Sequence, residues 1–218
     1  SIMANSPHLE HGLSTLVELR PAPQFSLHLN FTYGRPVSAQ AEVPGLVDPQ
    51  GQFHNFQWFW RRALIGKAPA SEIIREAHSQ LNKLRTMGLK IEDLDGHHHI
   101  HLHPGYAREL HGELSQQGIR RVRLIKDTDH WPSFFQTVFF ECFIKSEKIK
   151  IEYVQHDYLV AKNIRSRAGF QKKLLKSAAC QRPLICHPAT SDDFDEWKVD
   201  DTLRAGRSSE LSRIIDYM

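Results

Sequence analysis

The chain has 218 residues, 40% hydrophobic and 24% charged, a balance typical of a folded domain and not of a disordered segment. The formal net charge is +3 and no basic stripe interleaves with aromatic residues, so nucleic acid is not expected as a partner. Three cysteines without a CxxC spacing predict reduced thiols and a cytoplasmic location, and no run of 18 apolar residues is present that could span a membrane.

Hydrophobic spacing predicts the elements of the first third of the chain. A short helix pattern near residues 9–17 precedes a strand over 25–31, in which apolar residues alternate with Ser26, His28 and Asn30. This polar face either meets solvent or lines a cavity. Residues 39–57 are punctuated by proline and glycine and predict a long loop. The aromatic residues at 53–60 either belong to the core or a subunit interface, or form a platform for a sugar.

The clearest helix is predicted to begin at Ser71, as its N-cap, and to end before Gly88. Further helices are predicted over 104–117, 133–148, 167–179 and 208–217, and strands over 89–95, 119–125, 158–161 and 182–186. Alternating strands and helices with short connections predict an α/β fold with a parallel sheet, either barrel-like or doubly wound.

Five histidines fall within residues 97–103, directly after Leu94-Asp95-Gly96. Neutral imidazole is the commonest protein ligand for transition metals, so the tract predicts a divalent-metal site. On a straight strand, same-face neighbours lie roughly 6.5–7 Å apart, which is too far for successive residues to hold one ion. We therefore expect one histidine of the tract to bind metal and the others to support it or to contact substrate.

Polar residues follow three of the predicted strands, at 28–30, 95–97 and 186–188. Active sites of parallel α/β folds collect at the carboxyl ends of their strands, so these clusters are expected to converge. His28 and His97 can supply imidazole nitrogens to a metal. Asp95 could serve as a base, as a third ligand or as the carboxylate that orients a histidine.

The chain resembles the YdjC-like carbohydrate deacetylases, a family that includes chitooligosaccharide deacetylases and a branch associated with hopanoid biosynthesis. The resemblance covers nearly the whole chain and rests on motifs in the order and rough spacing of the family: Ser1-Ile2-Met3-Ala4-Asn5-Ser6, His28-Leu29-Asn30 with Gly34-Arg35-Pro36, Leu94-Asp95-Gly96-His97-His98-His99-Ile100-His101, and Cys186-His187-Pro188. It implies a single domain over 1–218 with a NodB-like irregular (β/α) barrel. The implied activity is metal-dependent hydrolysis of the N-acetyl group of an amino sugar or chitooligosaccharide.

On the matching positions, the resemblance implies that His28 and His97 bind Mg²⁺, with Zn²⁺ as the alternative, and that His187 protonates the departing amine. It also implies an arginine near the site, for which Arg123 is our choice and Arg121 the alternative. Asp95 is expected to take part in catalysis. The expected substrate contacts are Asn30, His99 and His101.

The family opens with a strand that carries Asn-Ala-Asp-Asp-Phe-Gly, and this sequence begins after that point. We therefore expect these 218 residues to lack the first strand of the barrel, and its last strand as well. By themselves they should bind metal weakly and hydrolyse little, because two neutral imidazoles hold a hard cation poorly.

Two other functions fit the same sequence features. One is a catalytically impaired sugar-binding or interaction protein on the same scaffold, and the other is a different metal-dependent barrel hydrolase, such as a phosphoesterase. Apolar residues at 134–143 exceed one helix face, which predicts either core packing or a homodimer interface.

Overall fold

The computed structural model describes residues 1–16, 24–125, 149–156, 159–160 and 184–185. The chain divides into two compact units, Ser1–Thr15 with Gln24–Gln155 and Leu16–Pro23 with His156–Met218. The prediction of a single domain over 1–218 stays a prediction.

Among the described residues, four α-helices and four of the strands lie in the first unit or reach its boundary. The helices are α1 (Leu9–Leu16), α2 (Phe56–Leu64), α3 (Ala70–Thr86) and α4 (Ala107–Gln116). The strands are β1 (Phe25–Leu29), β2 (Ile91–Gly96), β3 (Arg121–Ile125) and β4 (Glu152–His156). Two 3₁₀ segments, Gln40–Glu42 and His97–Leu102, follow β1 and β2. The second unit contains β5 (Leu159–Val160) and β6 (Leu184–Ile185), which pair in parallel.

The main sheet has the strand order β1-β2-β3-β4. β1 and β2 are parallel with His28 opposite Asp95, and β2 and β3 are parallel with Asp93 opposite Arg121. Ile2 forms a parallel bridge to Leu27 along the other edge of β1. The α/β class and the parallel sheet are thus confirmed, and closure into a barrel stays a prediction.

The core forms where apolar faces of the strands meet α3. The alternation predicted over 25–31 is confirmed in part. Leu27, Leu29 and Phe31 are buried, but β1 ends at Leu29, Phe25 is only partly buried and Asn30 is also fully buried. On α3 the buried stripe recurs every three to four residues, as expected for one face of a helix: Ile73, Ala77, Leu81, Leu84. This stripe belongs to the same core as the buried residues of β1 and β2.

Two helix starts differ from the prediction, and one helix was not predicted. α3 begins at Ala70 after Pro69, so Ser71 lies inside the first turn and is not the cap. Proline fits this place because its fixed φ suits a helix start. α4 begins at Ala107 and not at residue 104. α2 was not predicted, although Asn55 is a recognisable N-cap whose Oδ1 accepts from the Trp58 amide at 3.0 Å.

Among the described residues, no helix is long and apolar enough to cross a membrane. The helices predicted over 133–148, 167–179 and 208–217 lie outside the described residues, as do the apolar residues 134–143 and the homodimer interface predicted there.

Candidate functional site

The carboxyl ends of β1 and β2 bring His28 and Asp95 together. The two residues are direct partners in the parallel register. His28 Nδ1 lies 2.9 Å from Asp95 Oδ2, and the carboxylate side chain is only 4% exposed. The Ser1 hydroxyl lies 3.2 Å from the same carboxylate oxygen. The sheet register therefore creates a buried histidine–carboxylate pair from residues 67 positions apart.

Arg123 holds the other oxygen of the same carboxylate. Its guanidinium lies 2.7 Å from Asp95 Oδ1, and its side chain is 23% exposed. Burial would raise the pKa of Asp95, but the hydrogen bond to His28 and the charge of Arg123 outweigh burial and hold it well below its ordinary value. Asp95 is therefore ionised at neutral pH.

The choice between Arg123 and Arg121 follows from position along β3. Arg121 lies two residues earlier and makes a bidentate pair with Asp93, at 2.6 and 2.7 Å, on a more exposed part of the sheet. Residues two apart on a strand share a face, so both arginines meet β2 carboxylates. Only Arg123 reaches the pair formed by His28 and Asp95.

The histidine tract does not continue the strand. β2 ends at Gly96, and residues 97–102 form 3₁₀ turns with a kink at His98 and His99. Both of these residues have left-handed backbones, with φ of 50° and 58°. The straight-strand geometry considered for the tract is therefore wrong here, and the turn brings the rings of the adjacent residues His97 and His98 to 3.9 Å.

This turn places His97 beside His28. Their ring centroids are 5.7 Å apart and the planes are inclined by 68°. Two imidazoles that bind one ion through ring nitrogens at about 2.0–2.1 Å have centroids roughly 5–6.5 Å apart. The pair therefore fits the spacing of two ligands to one cation.

The described residues fit such a cation only as a partial ligand set. Among them, no group of three His, Cys, Asp or Glu side chains has metal-binding geometry. Asp95 is already engaged by His28 and Arg123, so it matches the carboxylate that orients a ligating histidine better than it matches a third ligand. The roles of His28 and His97 as metal ligands stay predictions.

His101 lies against Gly96 at the end of β2 and is bonded to the backbone of β3. It is fully buried, and its Nε2 donates to the Arg123 carbonyl at 2.8 Å. A Cβ at residue 96 would collide with the His101 ring, which explains glycine between Asp95 and His97. Burial lowers the pKa of His101 to about 4, so the ring is neutral. The predicted substrate contact would require this ring to leave its place.

His99, like His101, has a buried ring nitrogen without a hydrogen-bond partner among the described residues. In both rings this atom is Nδ1. Burial lowers the pKa of His99 to about 3, so this ring is also neutral. Its contact with substrate stays a prediction.

Asn30 has a structural environment that the sequence did not reveal. It is fully buried, and its Oδ1 accepts from the amides of Thr32 and Tyr33, at 3.0 and 3.1 Å. Its Nδ2 donates to the Tyr33 carbonyl at 2.6 Å and to Asn5 Oδ1 at 3.0 Å. The side-chain amide of Asn30 thus fixes the loop after β1. A contact between this amide and substrate would require it to give up some of these hydrogen bonds.

A buried polar pair on α3 anchors the next part of this loop. The Glu76 carboxylate accepts from the amides of Val37 and Ser38, at 2.9 and 2.8 Å. Gln80 donates to Glu76 at 2.8 Å and to the Asn30 carbonyl at 2.6 Å. Sequence reasoning missed both residues, although polar residues at i and i+4 inside an apolar helix stripe are a signal for such an anchor.

His187, predicted as the proton donor, lies outside the described residues. The structure therefore brings together His28, Asp95, His97 and Arg123. His101 is bonded to the Arg123 backbone and Asn30 to the loop after β1, and their contacts with substrate stay predictions.

A family model described as YdjC-like protein matches residues 1–217. A carbohydrate deacetylase of Brevibacillus brevis is 38% identical over 104 residues, 48% of this chain and 39% of the relative. A carbohydrate deacetylase of Vibrio cholerae is 29% identical over 142 residues, 62% of this chain and 54% of the relative. A chitooligosaccharide deacetylase of Yersinia enterocolitica is 34% identical over 103 residues, 47% of this chain and 38% of the relative.

The matched parts of the chain thus span about half the length of these relatives or less. The fold is similar to that of a solved Enterococcus faecalis V583 protein, described as a candidate cellobiose-phosphate cleavage protein. The TM-score is 0.59 at 16% identity, covering 97% of this chain and 77% of that protein. With the family model matched over nearly every residue, the chain belongs to the YdjC-like protein family.

Proposed function

We propose that the chain forms part of a metal-dependent carbohydrate deacetylase, which hydrolyses the N-acetyl group of an amino sugar or chitooligosaccharide. One observation carries the proposal. His28 is paired with Asp95 at 2.9 Å, and its ring lies 5.7 Å from that of His97 at the carboxyl edge of the parallel sheet. Family membership and relatives named as deacetylases support the same reaction.

His28 and His97 would hold a divalent cation, and the family resemblance favours Mg²⁺. Imidazole ligands also suit Zn²⁺, so both metals belong in the test. When bound, such a cation supplies Lewis-acid polarisation of the amide carbonyl and a lowered pKa for water. The remaining ligands would come from outside the described residues or from water.

Asp95 positions His28 in this proposal. An ionised carboxylate only accepts hydrogen bonds, so His28 carries its proton on Nδ1 and directs the lone pair of Nε2 outward. A general base works best with a pKa near the working pH, and the pKa of Asp95 is held well below it. Of the three roles that the sequence left open, orientation of His28 is the one we propose.

Together with His28, Arg123 keeps Asp95 ionised and in place. The Nε2–H of His101 donates to the Arg123 carbonyl and so holds the backbone of Arg123. His187 remains our proposed acid for the departing amine. In this arrangement His101 holds the backbone of Arg123, and Arg123 holds Asp95. Asp95 in turn orients His28.

The test is acetate release from N,N′-diacetylchitobiose by the longest natural chain that contains these residues. We expect EDTA to stop the release, Mg²⁺ or Zn²⁺ to restore it, and His97→Ala to abolish it with the fold retained. His8→Ala, at an exposed histidine away from this edge, is the matched control. Chitobiose binding that EDTA does not change, with no turnover, would instead select the sugar-binding alternative.

A further inference from the structure

Tyr33 presents an exposed aromatic ring next to the candidate site. The residue is 65% exposed, and its ring centroid lies 6.4 Å from that of His97. Among the described residues, the other large apolar side chains exposed to this degree are Leu64 and Ile65, at the end of α2. A single exposed apolar residue is ordinary on a protein surface, but the nearness of this ring to His97 puts an apolar face within reach of a ligand at the candidate site.

The backbone of Tyr33 is held firmly although its ring is not packed. Its amide donates to Asn30 Oδ1 at 3.1 Å, and its carbonyl accepts from Asn30 Nδ2 at 2.6 Å and Asn5 Nδ2 at 2.9 Å. Gly34 follows with φ of +74°, which turns the chain back. A ring carried on a fixed backbone loses little conformational freedom when it binds a ligand.

The angle between Tyr33 and His97 decides how a ligand could lie. The planes are tilted by 59° at a centroid distance of 6.4 Å. A flat group between two rings needs roughly 7–8 Å, twice the usual carbon–carbon contact distance of about 3.5–4.0 Å. A ligand therefore lies against one face of Tyr33 with its edge toward His97, and not between the two rings.

We propose that Tyr33 stacks on the pyranose ring that bears the reacting acetamido group. The inference rests on the proposed function, which puts the acetamido carbonyl near His28 and His97. The C–H face of a pyranose matches the electron-rich face of a tyrosine ring, and the hydroxyl at the ring tip stays in water. Tyr33 then determines affinity for the sugar, whereas the histidines act on the acyl group.

The experiment is an NMR titration of N,N′-diacetylchitobiose into the full chain in EDTA, so that binding is read without turnover. We compare wild type with Tyr33→Phe, which keeps the ring, and Tyr33→Leu, which keeps apolar bulk without it. We expect Tyr33→Phe to bind within about twofold of wild type and Tyr33→Leu to bind about three- to tenfold more weakly. Leu64→Ala, at an exposed apolar residue elsewhere, should bind as wild type does.

Equal affinity of Tyr33→Leu and wild type, or no chitobiose binding by wild type at all, would overturn the inference. The Tyr33 variants should keep the thermal midpoint of wild type, because these hydrogen bonds of Tyr33 are made by its backbone amide and carbonyl. Weakened binding by Tyr33→Leu, with no acetate release by the longest natural chain when Mg²⁺ or Zn²⁺ is supplied, would count against the proposed function while it supports the stacking role. Acetate release, with chitobiose binding by Tyr33→Leu equal to that of wild type, would support the proposed function and count against the stacking role.

Discussion

The imidazole of His28 and the carboxylate of Asp95 meet at 2.9 Å because the two residues are register partners in parallel strands. A one-residue slip between β1 and β2 would turn one of them to the other face of the sheet. The pair therefore depends on the same core packing that sets the strand register. Its ionised carboxylate fixes the tautomer of His28 and the direction in which the ring can bind.

Replacing Asp95 by asparagine should weaken metal binding by His28. An amide cannot hold the ring as an ionised carboxylate does, and loss of such an orienting group typically costs 10- to 100-fold in metal affinity. Isothermal titration of Zn²⁺ into the full chain measures the change. Asp93→Asn removes the exposed pair with Arg121 and is the matched control, with unchanged affinity expected. Equal Zn²⁺ affinity in Asp95→Asn and wild type would refute the orienting role.

Asn30→Ala should lower the free energy of unfolding by about 2–4 kcal/mol, because four side-chain hydrogen bonds are lost and buried backbone groups lose their partners. Urea denaturation measures the loss. Asn55→Ala, which removes an exposed helix cap, should cost only about 1 kcal/mol. If the two variants were equally stable, Asn30 would not be the anchor of its loop.

The left-handed backbone at His98 predicts opposite effects of two substitutions. His98→Gly should change the free energy of unfolding by less than about 1 kcal/mol, since glycine adopts positive φ readily and this gain offsets the lost hydrogen bond to Thr32. His98→Val should lower it by about 1–3 kcal/mol, because a β-branched residue is strained at φ of 50°. Urea midpoints that rank valine above glycine would contradict the turn geometry.

Stability should fall steeply as the pH drops from about 6.5 to about 4. Burial lowers the pKa of His101 and His103 to about 4 and that of His111 to about 3. The unfolded chain binds these protons near pH 6.5 and the folded chain does not, so the stability present above 6.5 is lost on acidification. Each histidine contributes a slope of up to about 1.4 kcal/mol per pH unit.

Urea midpoints measured every half unit from pH 4 to pH 8 test this dependence. His111→Gln keeps a donor toward the His101 carbonyl and removes one titrating ring, so its pH slope should be shallower than that of wild type. A midpoint that stays constant across this range would show that these rings are not kept neutral by the fold.

The local pattern of the sequence determined where the catalytic candidates lie along the chain. Alternation over 25–31 identified the buried face of β1, and the parallel order of strands predicted that His28, Asp95 and His97 would share one edge. These features are readable because the strand period is local and the succession of strands and helices along the chain favours a parallel sheet. The motifs also identified the family, which the whole-chain match confirms.

Tertiary structure alone decided what each side chain does at that edge. The register between β2 and β3 pairs Arg123 with Asp95 and Arg121 with Asp93, although both arginines carry the same charge. The turn after Gly96 places the His101 ring against Gly96, where it is bonded to the Arg123 carbonyl. Burial and partners come from residues distant in sequence, such as Gln80 and Asn30, whose pairing across 50 positions leaves no trace in local composition. Polar residues of one sequence cluster thus divide between the site and its support, according to which long-range contacts satisfy their hydrogen bonds.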